Sequence, residues 1–227
     1  MLFLSKKTTV RFLSVTAVPR LRWSAPQAFT LRPPFLSVCF LVVGLVIFGL
    51  GEALLVASGV GVSPWTVFAE GVTNVTGWSL GFATFIISVS VLVLWIPLKQ
   101  TPGIGTILNA IIIALVLEYL LPFLPRFDAL LANVACAALG VLVTGFGGAI
   151  YLIANLGPGP RDGLMTGFQS VTGQPIALVR TCLEVAVVII GWQLGGTLGI
   201  GTVLFALGIG PAIAVSMLVL QRIGRAE

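Results

Sequence analysis

The chain has 227 residues, 58% of them hydrophobic and 8% charged, with 12 Lys and Arg against 7 Asp and Glu, a net charge of +5 and a mean hydropathy of +1.13. A soluble domain carries roughly a quarter charged residues, and a water-facing surface this poor in charge would aggregate, so a soluble fold is excluded. The chain has no histidine, which removes histidine triads, metal sites and proton relays; its basic excess reads as membrane topology, with no nucleic-acid partner.

Residues 1–34 hold Lys6, Lys7, Arg11, Arg20, Arg22 and Arg32, no acidic residue, and Pro19, Pro26, Pro33 and Pro34. Their apolar runs are too short for a signal-peptide core. The segment reads as a basic, flexible cytoplasmic tail near anionic headgroups; a transit peptide or a start placed too early are the other readings. From Phe35 the apolar runs predict spans at 35–57, 79–98, 104–121, 130–154, 177–194 and 199–220, followed by a short tail at 222–227. Each run approaches the ~20 residues that cross ~30 Å of hydrocarbon. Helices are required because lipid offers no partner to an open backbone. Six spans starting inside put the basic tail, Lys99, Arg161, Arg222 and Arg225 in the cytoplasm and Arg126 alone outside. Both termini are then cytoplasmic.

A shift of 96 residues aligns the chain with itself without a gap. Pro64 meets Pro160, Val75-Thr76-Gly77 meets Val171-Thr172-Gly173, and Gly103-Ile104-Gly105-Thr106 meets Gly199-Ile200-Gly201-Thr202. Upstream, Gly44, Gly49, Gly51 and Gly61 meet Gly140, Gly145, Gly147 and Gly157. Matched glycines and prolines mark a true repeat, with units at 35–125 and 126–221. Three spans per unit is an odd number, so the second copy runs opposite to the first, as in many transporter folds. The loops agree: Pro97-Leu98-Lys99-Gln100 is basic and its counterpart Gln193-Leu194-Gly195-Gly196 is uncharged. The expected fold is all-α: six spans as two inverted three-span repeats.

Each repeat also carries a short element opened by Pro64 or Pro160 and closed by Gly77 or Gly173. Proline suits a first helical turn, glycine a stop, and Ser63 is placed to cap. About 13 residues give roughly 20 Å, so these are half-helices, re-entrant or interfacial. The small-residue spacings Gly140/Thr144, Gly145/Ala149 and Ala206/Gly210 read as helix packing. Cys39, Cys136 and Cys182 sit apart in apolar runs, with no metal-ligand spacing and no disulfide framework; they read as buried thiols.

Few polar residues remain as site candidates. Arg161 and the free N–H groups of the second half-helix suit an anion, with Asp162 holding Arg161 and favouring the helix dipole. The plainer reading is a topology signal beside a cap. Arg180 and Glu184 are four apart, on one face of the fifth span, either facing a cavity or forming a structural pair with Arg180 snorkelling. Together the four form a candidate substrate-binding network. Glu184, Glu52 and Glu118 are candidate proton carriers; Glu52, Glu118 and Glu70 lie toward the outer boundary, where solvation or pairing with Arg126 is the alternative. Asn109 suits a helix–helix hydrogen bond. No catalytic constellation, metal set or cofactor motif is present.

The string Gly157-Pro158-Gly159-Pro160-Arg161-Asp162-Gly163-Leu164-Met165 resembles the YczE/YitT-type bacterial membrane proteins, closest to the YczE branch. Ser63-Pro64-Trp65-Thr66-Val67, Pro102-Gly103-Ile104-Gly105-Thr106-Ile107-Leu108-Asn109-Ala110, and Leu178-Val179-Arg180-Thr181 with Glu184 support it, over about residues 36–220. The resemblance implies a multi-pass protein of the bacterial plasma membrane and brings no activity with it. The expected function is a small-solute transporter or permease for an anionic or zwitterionic solute, possible proton coupling included, and not an enzyme. The alternative is a non-transporting membrane partner or scaffold for another protein. The expected partners are the lipid bilayer and an unidentified small solute, with a homo-oligomer or membrane partner as further options.

Overall fold

The computed structural model describes residues 18–30 and 32–224. Lys6, Lys7, Arg11 and Arg225 of the expected basic tails lie outside the described residues. Within the described residues all regular structure is helical, the form in which an apolar chain satisfies its own backbone in lipid. The helices are α1 (Phe35–Ser58), α2 (Pro64–Thr76), α3 (Leu80–Trp95), α4 (Ile104–Leu120), α5 (Leu130–Ala154), α6 (Pro160–Thr172), α7 (Ile176–Gln193) and α8 (Ile200–Gly224). A 3-10 turn, Leu121–Phe123, follows α4.

Helices α1, α5, α7 and α8, and α4 together with its 3-10 turn (Ile104–Phe123), are long and apolar enough to cross a membrane. The expected second span, 79–98, is shorter than read. Helix α3 has 16 residues and reaches spanning length only together with α2, from which it is bent by 113°. Pro97 lacks the N–H needed to extend the last turn, and Lys99 turns the chain with φ 52°. The half-helices α2 and α6 have 13 residues each, proline in the first turn and a left-handed glycine after the last, Gly77 and Gly173. Ser63 occupies the N-cap position of α2, yet its side chain does not cap. Its hydroxyl is turned to the Glu52 carboxyl group instead, 2.6 Å from Oε2.

At the centre α1 and α5 meet along glycines. A Cβ on Gly44 would lie 2.6 Å from the Tyr151 nitrogen and 3.0 Å from the Gly147 oxygen, and one on Gly140 would lie 2.9 Å from the Gly51 oxygen. Small residues allow such backbone approach in lipid. These contacts are reciprocal, because Gly44 with Gly147 becomes Gly140 with Gly51 after the 96-residue shift. The loops repeat the pattern: Gly105 N–H donates to the Leu156 carbonyl at 2.7 Å, and Gly201 N–H to the Val60 carbonyl at 2.8 Å. Positive φ angles among the described residues also pair at this spacing, as Gly59/Asn155, Gly61/Gly157, Gly77/Gly173 and Lys99/Gly195.

The half-helices pack across the repeats. Helix α2 lies on α7, with Phe68 against Gly191. Helix α6 lies on α3, where the Trp95 ring covers Gly163 and Trp95 Nε1 donates to the Pro160 carbonyl at 3.0 Å. Glu70 accepts from Thr197 N–H at 2.7 Å and Asn74 donates to the Gly195 carbonyl at 2.7 Å, pinning α2 to the α7–α8 turn. Residues 18–30 and 32–34 precede α1. Ala25 N–H donates to the Ala154 carbonyl at 3.0 Å, Asn155 donates back to the Ala25 carbonyl at 2.8 Å, and Trp23 stacks on Phe40 at 4.5 Å.

Two packing expectations change. Ala206 is exposed and Gly210 would bring a Cβ near nothing within 4 Å, so this pair borders open space instead of a helix. Of the thiols, Cys136 is buried, Cys39 is half-buried and Cys182 is exposed. Cys182 lies on α7, whose spanning stretch is only 6% buried and leaves most of its faces outward.

Candidate functional site

Arg161 and Asp162 stand in the first turn of α6, where free N–H groups favour negative charge. Asp162 Oδ2 accepts a hydrogen bond from the Tyr151 hydroxyl at 2.9 Å. The Arg161 guanidinium sits over the Trp65 ring, its Cζ 5.3 Å from the centroid. Trp65 holds the corresponding place in α2, so the two half-helices meet at their N-termini. On α7, Arg180 Nε donates to Glu184 Oε1 at 2.9 Å, with side chains 47% and 23% exposed.

These groups line one cavity of about 400 Å³. Arg161, Asp162, Arg180, Glu184, Tyr151 and Asn109 supply its polar wall, and Phe48, Ile113, Phe205, Ile209 and Ile213 its apolar wall. The four residues of the expected binding network therefore share a single space. Asn109 differs from its expected role. Among the described residues it makes no helix–helix hydrogen bond, and it lies beside Gly159 at the entrance to α6, where a glycine Cβ would be 3.3 Å from the amide nitrogen.

The cavity exists because α7 and α8 stand apart. In the first repeat the corresponding helices α3 and α4 are in contact, and a Cβ on Gly81 would lie 2.6 Å from the Ala114 carbonyl oxygen. Their counterparts in the second repeat are Ala177, which is exposed, and Gly210, which borders the cavity. Thr84 and Ser88, at the places of Arg180 and Glu184, are buried. Pro211 follows Gly210 inside α8 and removes one helical hydrogen bond beside the opening.

The remaining carboxylates lie elsewhere. Glu52 is 1% exposed; its Oε2 lies in hydrogen-bond contact with the hydroxyls of Ser63 at 2.6 Å and Thr66 at 2.7 Å, while Oε1 has no partner. It is neither solvated nor paired with Arg126, which is exposed and lines a separate groove with Val56, Gly59 and Phe127. Hydropathy sets depth along a span but not the face, and Glu52 faces inward. Glu118 lines another groove with Ser79 and Phe82, its Oε2 buried without a partner. Tyr151 and the Ser63–Thr66 pair were not singled out from sequence as site residues. The one available signal for Tyr151 was a hydroxyl inside an apolar run. Among the described residues no group of three or more Cys, Asp or Glu could hold a metal.

The helices and the buried polar wall define a polytopic α-helical membrane protein. Residues 35–217 match a family of unknown function, DUF6198, and the chain belongs to that family. It is similar to an uncharacterized protein of Haemophilus influenzae, 39% identical over 209 residues, covering 92% of this chain and 95% of the relative. It is also similar to the uncharacterized membrane protein YczE of Bacillus subtilis, 30% identical over 181 residues and covering 78% and 84%, and to the uncharacterized protein YyaS of the same organism, 26% identical over 184 residues and covering 79% and 92%. No solved structure matches. The resemblance to the YczE branch read from the half-helix motifs is thus borne out.

Proposed function

We propose that the chain is a transporter or permease for a small anionic or zwitterionic solute, built from two inverted repeats and working without a catalytic step. The observation that carries this reading is the cavity of about 400 Å³ at the junction of the two half-helix N-termini, walled by Arg161, Asp162, Arg180 and Glu184. Its size falls within the ~300–1,000 Å³ usual for small-molecule sites. Two guanidiniums suit a carboxylate or phosphate group, and two carboxylates suit an ammonium.

The reciprocal glycine contacts support a two-fold relation between the halves, and three spans per half make it an inverted one. On this reading one state opens α7 from α8 while α3 stays shut on α4, and the other state exchanges the two arrangements. The setting is a bacterial plasma membrane with both termini cytoplasmic.

Purified protein in proteoliposomes tests the reading with labelled inorganic phosphate, succinate, glutamate and glycine. Flux of at least one solute is expected, lost in Arg161→Ala and reduced in Glu184→Gln. Full flux in both folded variants would overturn the site. The exposed outer face of α7, with Val185, Ile189 and Trp192, favours one alternative: a scaffold that holds another membrane protein. That reading requires absence of flux together with a co-purifying partner released by polar substitutions on this face.

A further inference from the structure

We propose that Glu52, Ser63 and Thr66 form a buried proton-binding site behind the solute cavity, and that release of its proton draws Arg161 from solute toward Glu52. The coupling rests on the transporter reading; the proton itself does not.

Three oxygens make a closed triangle. Glu52 Oε2 lies 2.6 Å from the Ser63 hydroxyl and 2.7 Å from that of Thr66, and the hydroxyls lie 2.9 Å from each other. Each hydroxyl owns one proton. Two protons donated to Oε2 leave the third edge empty, whereas a proton on Oε2 lets all three edges be donated in a ring. The second carboxyl oxygen points the same way. Oε1 is buried without a partner, and among the described residues Glu52 makes no ion pair. An ionised carboxylate so placed is costly, while the neutral acid leaves only a carbonyl unsatisfied. A metal ion does not fit the group, because hard cations take about six or more oxygens and these three bond one another in a sealed space, each residue 1% exposed.

The step is simple proton exchange. The Oε2–H bond breaks, the proton leaves for solvent, and both hydroxyls then donate to the carboxylate. The charge created acts on Arg161, whose guanidinium lies 5.3 Å over the ring of Trp65, the residue next to Thr66 in the first turn of α2. Asp162, Tyr151, Arg180 and Glu184 are the other titratable groups around this point, from α6, α5 and α7. A protonated Glu52 frees Arg161 for an anionic solute, so proton and solute travel together.

Infrared spectroscopy of the full chain in lipid at neutral pH, without solute, tests the site. A protonated-carboxyl C=O band is expected in the wild type, absent from Glu52→Gln and shifted in Ser63→Ala, which keeps the acid but removes one partner. No band sensitive to either variant would overturn the proposal and leave the solute cavity standing. In proteoliposomes wild-type solute uptake is expected to respond to an imposed pH gradient, and uptake by Glu52→Gln to be the same with and without the gradient. Retained dependence would overturn the coupling.

Discussion

Arg161 rests on Trp65, the residue that holds its own place one repeat earlier, with Cζ 5.3 Å from the ring centroid. On the inverted-repeat reading, two equivalent positions touch where the axis relating the halves passes between them. The cavity beside this contact takes its charge from one repeat alone.

Replacing Arg161 by Lys should separate charge from shape. Lysine keeps the charge but loses the planar fork and most of the stack, a contact worth about 0.5–2 kcal/mol. Solute affinity, read by thermal-shift titration, is expected to fall by ~10-fold or more, with a small change in the unliganded melting temperature. An unchanged affinity would show that Arg161 does not contact solute.

Gly163→Ala places a methyl group on the Trp95 ring. Overpacking of this kind costs about 1–3 kcal/mol, and the bond from Trp95 Nε1 to Pro160 resists movement of the indole. Trp95→Leu should relieve the clash, so the double variant is expected to be less destabilised than the sum of the two singles. Thermal unfolding in detergent measures this, and simple additivity would contradict the contact.

Gly81 faces Ala114, whose counterpart in the second repeat is Gly210, and Gly210 borders open space. Gly81→Ala meets the Ala114 backbone and Glu118, whereas Gly210→Ala meets nothing within 4 Å. The first should lower stability by about 1–3 kcal/mol and the second should not. If both cost the same, the two repeats share one arrangement.

Single cysteines at Lys99 and Gly195, in a chain lacking Cys39, Cys136 and Cys182, test the inversion. Both positions are positive-φ turns at the same point of each repeat. A membrane-impermeant thiol reagent on intact cells is expected to label position 195 and spare 99. Labelling of both or neither would place the loops on one side and remove the inversion.

The periodic glycines, paired prolines and long apolar runs made the helices legible in sequence to within a few residues. Leu130–Ala154 begins and ends where the apolar run does, and Gly77 and Gly173 stop their helices as their lack of a Cβ allows. The four charged residues of the cavity were legible because each sits at a helix start or on one helical face. Glu52 was harder: its partners lie 11 and 14 residues away, across a loop whose path depends on Gly59 and Gly61 adopting positive φ. Asn109 and Cys182 were misplaced because the separation of α7 from α8 is tertiary, and no local pattern on either helix encodes it.

Trp95 and Gly191 occupy the same place in the two repeats, and their sizes have diverged in opposite directions. Trp95 fills a hollow left by Gly163, while Gly191 yields to Val67 and Phe68. Two copies of the first half would drive an indole into Val67, and two copies of the second would leave a gap between Gly163 and Gly191. Each half has become the fitted counterpart of the other, and neither can any longer serve as its own mate.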